Sequence, residues 1–148
     1  MTKERATEAQ IQRAIVQWFQ LALHANVAWC AIPNGGYRRR TEARIMKGLG
    51  TVPGAPDLVL WYPPGKSLCL EVKRDDGRTS ESQHWFHARL QWCGIPIEIV
   101  RTLDDAIEAC KRHAVPTKGA PAGFDPNEKI EDLGAHFAHV HKLKIASP

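Results

Sequence analysis

A chain of 148 residues, 43% hydrophobic and 24% charged, has the composition of an ordinary globular protein and the length for one domain with an appended tail. No apolar run approaches the roughly 20 residues that a membrane-spanning helix needs, which excludes that class. The formal charge of +4 is concentrated, because Arg38, Arg39, Arg40, Arg44 and Lys47 against Glu42 carry all of it and leave the remainder neutral on balance.

The start, Met1-Thr2-Lys3-Glu4-Arg5, is too polar for a signal peptide and predicts a cytoplasmic protein. Thr7 with Gln10 forms a capping box. Ile11, Ile15, Trp18, Phe19 and Ala22 follow at helical spacing, so a helix is predicted over residues 7–23. Residues 27–32 are a short apolar run, a strand ended by Pro33-Asn34-Gly35-Gly36. A short helix is predicted over residues 41–47, bounded by Gly48 and Gly50. Residues 58–62 and 68–73 read as strands. Ser80 with Gln83 caps a helix that runs to Cys93 and stops at Gly94. A strand over residues 97–100 and a helix over 103–113, capped by Thr102 or Asp104, complete an α/β domain over residues 1–113. Its architecture is a mixed sheet flanked by helices. Pro116, Gly119, Pro121, Gly123 and Pro126 mark a linker over residues 114–126. Ile130, Leu133, Phe137 and Val140 then place a C-terminal helical tail within residues 127–148.

Cys30, Cys69, Cys93 and Cys110 form no C-x-x-C pair and sit among apolar neighbours. They predict free core thiols in a reducing compartment rather than a zinc site. Trp18, Trp29, Trp61, Trp85 and Trp92 fall within elements and predict core or dimer-interface positions. His136, His139 and His141 in the tail lack the spacing of a helical metal-binding pair and read as a solvated face.

The chemistry concentrates in Gly54-Ala55-Pro56-Asp57, ahead of one strand, and Glu71-Val72-Lys73, at the end of the next. Glu71 and Lys73 are two apart on a strand and share a face. A hairpin that pairs Tyr62 with Lys66 also sets Asp57 opposite Glu71. Its loop is then Pro63-Pro64-Gly65, with Gly65 as the left-handed last residue. Pro64 is awkward there, because it pushes Pro63 out of the helical region, and a five-residue loop over 62–66 keeps the same pairing. Two carboxylates beside an ammonium suit a hard divalent cation. Asp57 and Glu71, with the Val72 carbonyl, are candidate ligands for Mg²⁺ or Mn²⁺, which activates a water against a phosphodiester. Lys73 is the candidate to hold that water and add positive charge beside the phosphorus. Glu8 is a candidate further ligand or water-orienting group. Taken singly, a Glu-x-Lys at a strand end is usually a solvated edge, Glu8 a dipole-favoured residue, and Gln83 a capping residue.

The ordered set Glu8, Pro33-Asn34-Gly35-Gly36, Gly54-x-Pro56-Asp57, Glu71-x-Lys73, Gly77, Ser80-x-x-Gln83 and Gly94 resembles the virus-type replication-repair nuclease family. That family belongs to the restriction-endonuclease-like superfamily, and the resemblance spans roughly residues 7–112. It implies a restriction-endonuclease-like core and a Mg²⁺- or Mn²⁺-dependent DNA endonuclease. Metal ligation falls to Asp57 and Glu71, catalysis to Lys73, and supporting roles to Glu8 and Gln83. It further implies a homodimer similar to Holliday-junction resolvases, acting in DNA repair on DNA that includes branched forms, in a bacterial or phage-infected cell. The cluster Arg38, Arg39, Arg40, Arg44 and Lys47 is the candidate DNA contact, with Lys66 and Arg74 as lesser ones. The alternative is a non-catalytic nucleic-acid-binding module on the same scaffold. A hydrolase of RNA is a third reading, since only the resemblance favours DNA.

Overall fold

The computed structural model of the protein describes residues 5–33 and 40–118. The elements run α1 (Glu8–Ala22), β1 (Ala28–Ala31), α2 (Arg40–Gly48), β2 (Leu58–Tyr62), β3 (Lys66–Val72), α3 (Glu81–Trp92), β4 (Ile97–Val100) and α4 (Leu103–Arg112). The strands form one mixed sheet in the order β1-β2-β3-β4. The first two pairings are antiparallel, and α3 carries the chain across to a parallel β3–β4 pair. This is the sheet flanked by helices that the sequence predicts.

Strand alternation gives the sheet two unlike faces. On one face Leu58, Leu60, Tyr62, Leu68, Leu70, Val72 and Val100 meet Ile11, Ile15 and Phe19 of α1 and Ala106, Ala109 and Cys110 of α4 in a single buried core. Each large aliphatic side chain buried there contributes roughly 1.5–3 kcal/mol. The opposite face carries Val59, Trp61, Cys69 and Glu71. It is covered at the β4 side by α3 and left open toward β1, where Trp61 and Cys30 are exposed.

Three capping boxes start the long helices: Thr7 with Gln10, Ser80 with Gln83, and Thr102 with Asp105. Thr102, of the two predicted choices, is the α4 cap. The hairpin pairs Tyr62 with Lys66 and Leu58 with Leu70. Its loop is Pro63-Pro64-Gly65, with Gly65 at φ +62° and a cis Pro63–Pro64 peptide. The ladder therefore runs right up to the loop, and β3 starts at Lys66, earlier than predicted. The packed chain also continues past His113. Val115 is buried in the core, and the Lys118 amide donates to the Ala22 carbonyl at 2.8 Å. Residues 119–126 of the expected linker, and the expected tail over 127–148 with its histidines, lie outside the described residues.

The expectation about the cysteines needs correction. All four cysteines are free, but only Cys69 and Cys110 are buried. Cys30 points to the open face of edge strand β1, and Cys93 follows the last turn of α3. Of the tryptophans expected in the core or at a dimer interface, Trp18 and Trp29 pack against the core, and Trp61, Trp85 and Trp92 are exposed on this chain. An α3 that turns only a narrow face to the sheet has no room inside for Trp85 or Trp92. Among the described residues, no helix is long and apolar enough to cross a membrane.

Candidate active site

The hairpin register puts Asp57 and Glu71 one step beyond the last ladder pair, facing each other across β2 and β3. One oxygen of Asp57 accepts from the Val72 amide at 2.8 Å, which fixes its carboxylate against the end of β3. The Ile32 amide donates to the Asp57 carbonyl at 2.8 Å and holds its backbone from the β1 side.

Glu71 is 1% exposed, and Lys73 is 8% exposed. Lys73 Nζ lies 3.1 Å from Glu71 Oε1, a buried ion pair along one strand. Gln83 has two jobs at once. Its side-chain oxygen accepts from the Ser80 amide at 2.8 Å and closes the α3 capping box, while its Nε2 donates to Glu71 Oε1. Glu8, in the first turn of α1, accepts from the Arg74 amide at 3.4 Å and therefore borders the site.

The electrostatics favour a cation. Burial, and then the neighbouring Asp57 charge, push Glu71 up to about 7 against the opposing pull of Lys73. Burial also raises Asp57 above its ordinary value, although the Val72 amide and Lys73 act in the other direction. Two carboxylates that resist ionising together mark a functional site more often than a structural one. Glu71 Oε2 is buried and has no hydrogen-bond partner among the described residues. No three His, Cys, Asp or Glu side chains among those residues converge into a ready cage. Mg²⁺ or Mn²⁺ fits such a set, since Mg²⁺ in particular takes one or two carboxylates and keeps much of its water shell. Asp57 and Glu71 are the two carboxylates that could hold it, beside the Val72 backbone that binds Asp57.

Sequence reasoning missed His87. It is the residue that α3 buries, and its Nε2 lies 3.6 Å from Glu71 Oε2. Burial, then Lys73 and His84, lower its pKa. The available signal was the spacing: His87 is four residues from Gln83, so a helix that aims one at the sheet aims both.

Gly54 ties the Asp57 loop to α3. It sits at φ +87°, and a Cβ there would meet the Ser82 carbonyl oxygen at 2.2 Å. Among the cationic residues, Arg38 and Arg39 lie outside the described residues. Arg40 opens α2, and Arg44 and Lys47 are exposed on it. Positions 40, 44 and 47 share one helical face. Lys66 is at the far end of β3 from Glu71, which separates it from the site, and Arg74 is engaged with Asp76 at 2.7 Å.

The VRR-NUC domain family model matches residues 6–103. A solved structure described as a VRR-NUC domain protein superimposes with a TM-score of 0.60 at 16% identity, covering 77% of this chain and 93% of that one. A second, described as a VRR-NUC domain, gives a TM-score of 0.48 at 21% identity, covering 73% and 98%. No curated protein matches in sequence.

Proposed function

This chain belongs to the VRR-NUC family of nucleases, and from that premise we propose that it is a Mg²⁺- or Mn²⁺-dependent DNA endonuclease working through Asp57, Glu71 and Lys73. The observation that carries the reading is the buried pair itself. Two facing carboxylates with raised pKa values stand beside an ammonium 3.1 Å from one of them.

Asp57, Glu71 and the Val72 carbonyl would hold the cation. When bound, it supplies Lewis acidity to the phosphate and acidifies a water. The side chains do the rest. The Val72 amide holds one Asp57 oxygen and leaves the other for the cation. Lys73 and Gln83 hold Glu71 by Oε1. The largely buried Lys73 ammonium orients the attacking water and stabilises charge developing on the phosphoryl oxygens, where poor solvation makes its field strong. Glu8 borders this space and helps orient the water. The exposed Arg44 and Lys47 of α2, in the cluster that begins at Arg38, draw in the DNA backbone. In a homodimer, two such sites related by a two-fold axis nick opposite strands, which suits a branched substrate.

The test is cleavage by purified protein with Mg²⁺ or Mn²⁺ on a four-way junction, a flap, a nicked duplex, a plain duplex and an RNA counterpart. Asp57→Ala and Lys73→Ala are each expected to lower cleavage by at least about 10³-fold, in the range of a lost transition-state contact, while DNA binding largely survives. Wild-type protein that cuts none of these forms sinks the nuclease reading and leaves a DNA-binding module. A monomer by light scattering removes the resolvase-like dimer but not the nuclease.

A further inference from the structure

We infer that His87 is a positioning residue for Glu71, pairing with the carboxylate oxygen that Lys73 and Gln83 leave free. The inference rests on the proposed role of Glu71 as a metal ligand. An ionised carboxylate offers about four acceptor sites on its two oxygens. Here Lys73 Nζ and Gln83 Nε2 both go to Oε1. Oε2 is buried without a hydrogen-bond partner among the described residues, and so is His87 Nε2. These two atoms face each other at 3.6 Å. That is just outside hydrogen-bond range, and a closure of about half an ångström brings it in. Buried polar atoms are nearly always satisfied, so two facing orphans point to a contact that the working site completes.

The construction of α3 supports this assignment. A helix packed for stability buries a stripe of aliphatic side chains. This one buries only His87 fully, keeps Phe86 and Leu90 half-buried, and leaves Trp85 61% and Trp92 93% exposed. The polar part of its inward face is Gln83, which reaches Glu71 Oε1, and His87 one turn later, aimed at Oε2. Gly54 presses the Asp57 loop onto the first turn of the same helix. With both oxygens held, the carboxylate plane is set before the cation arrives. Outer hydrogen bonds of this kind orient a metal ligand and sustain affinity. His87 acts through Glu71 and does not touch the phosphodiester.

Mn²⁺ binding to the full chain without DNA, read by calorimetry and electron paramagnetic resonance, tests this directly. His87→Leu keeps the bulk and removes the donor, and should weaken Mn²⁺ binding by about 10–100-fold. His87→Gln presents an N–H at similar reach and should recover most of that loss. His87→Asn has the donor but not the reach and should not. The Gln and Asn pair gives the answer even where the Leu variant fails to fold. A merely structural role predicts instead that every folded variant binds Mn²⁺ alike. The inference is overturned by wild-type affinity in His87→Leu, by a Gln variant no better than Asn, or by imidazole nitrogen coupling to bound Mn²⁺, which would make His87 a direct ligand. Wild-type protein that binds no Mn²⁺ overturns the metal site itself and this inference with it, a result distinct from intact wild-type binding with unaffected variants.

Discussion

Glu71 is a carboxylate in electrostatic conflict with its surroundings. Its carboxyl is buried beside Asp57, and only Lys73 and Gln83 offset the cost of charging it. With a folded pKa of about 7 against 4.5 when unfolded, the folded protein binds more protons between those values. The Glu71 contribution to metal-free stability is therefore fullest below pH 4.5, falls as pH rises through about 7, and stays lower above it. Asp57 contributes with the same sign. The Glu71 contribution is at most about 3 kcal/mol. Denaturant unfolding between pH 5 and 8 without metal should show this decline in wild type, and Glu71→Gln should flatten it while abolishing cleavage. Because proton and cation compete for the same oxygens, Mn²⁺ affinity should climb over that interval. A wild-type slope that persists in Glu71→Gln assigns it to another group. The sequence made Asp57, Glu71 and Lys73 legible because strand alternation and hairpin register are properties of residue order. His87 was legible only through its four-residue spacing from Gln83, since a histidine inside a helix otherwise reveals nothing until the direction in which that helix packs is known.

At the scale of elements, the site depends on how a loop and a helix start are pressed together. Gly54 lies at φ +87° with the Ser82 carbonyl where its Cβ would go. Gly50, at φ +91°, has nothing within 4 Å of its own would-be Cβ. The two glycines separate conformational cost from contact. Gly50→Ala should cost about 1–2 kcal/mol, the penalty of a left-handed backbone for an L-residue. Gly54→Ala carries that cost plus a clash with backbone that cannot move without shifting the first turn of α3. It should cost at least about 3 kcal/mol, in the range reserved for severe substitutions, and displace Gln83 from Glu71. Thermal unfolding and cleavage of the two variants check this. Equal losses would mean that the loop relaxes away from Ser82 and does not set the helix. Capping boxes and the hairpin pairing were readable from short-range chemistry. The exposure of Trp85, Trp92 and Cys30 was not, because apolar residues at element positions look the same whether the face they occupy is covered or open.

Across the whole molecule, the two faces of the sheet divide the work. The face under α1 and α4 holds the aliphatic core, and the other carries the carboxylates, Lys73 and the helix that orients them. Mutations in the first should act through stability, and those in the second through metal binding and cleavage. The cationic α2 stands apart from both. None of its described side chains joins the buried core, and Arg44, Ile45 and Lys47 are exposed on it. If this face neutralises backbone phosphates, each lost contact removes about 0.9 from the slope of log affinity against log salt on duplex DNA. Arg44→Ala with Lys47→Ala should then lower the steepness of that slope by about 2 and weaken binding evenly across sequences, with Mn²⁺ affinity unchanged. The uniform loss follows because phosphate contacts carry no base information. An unaltered slope would move the DNA contact off α2, and the charge clustering over residues 38–47 would then reduce to a solvated surface. A changed slope accompanied by lost Mn²⁺ binding would mean that α2 supports the fold around Asp57. The salt dependence and the metal titration must therefore be read on the same protein.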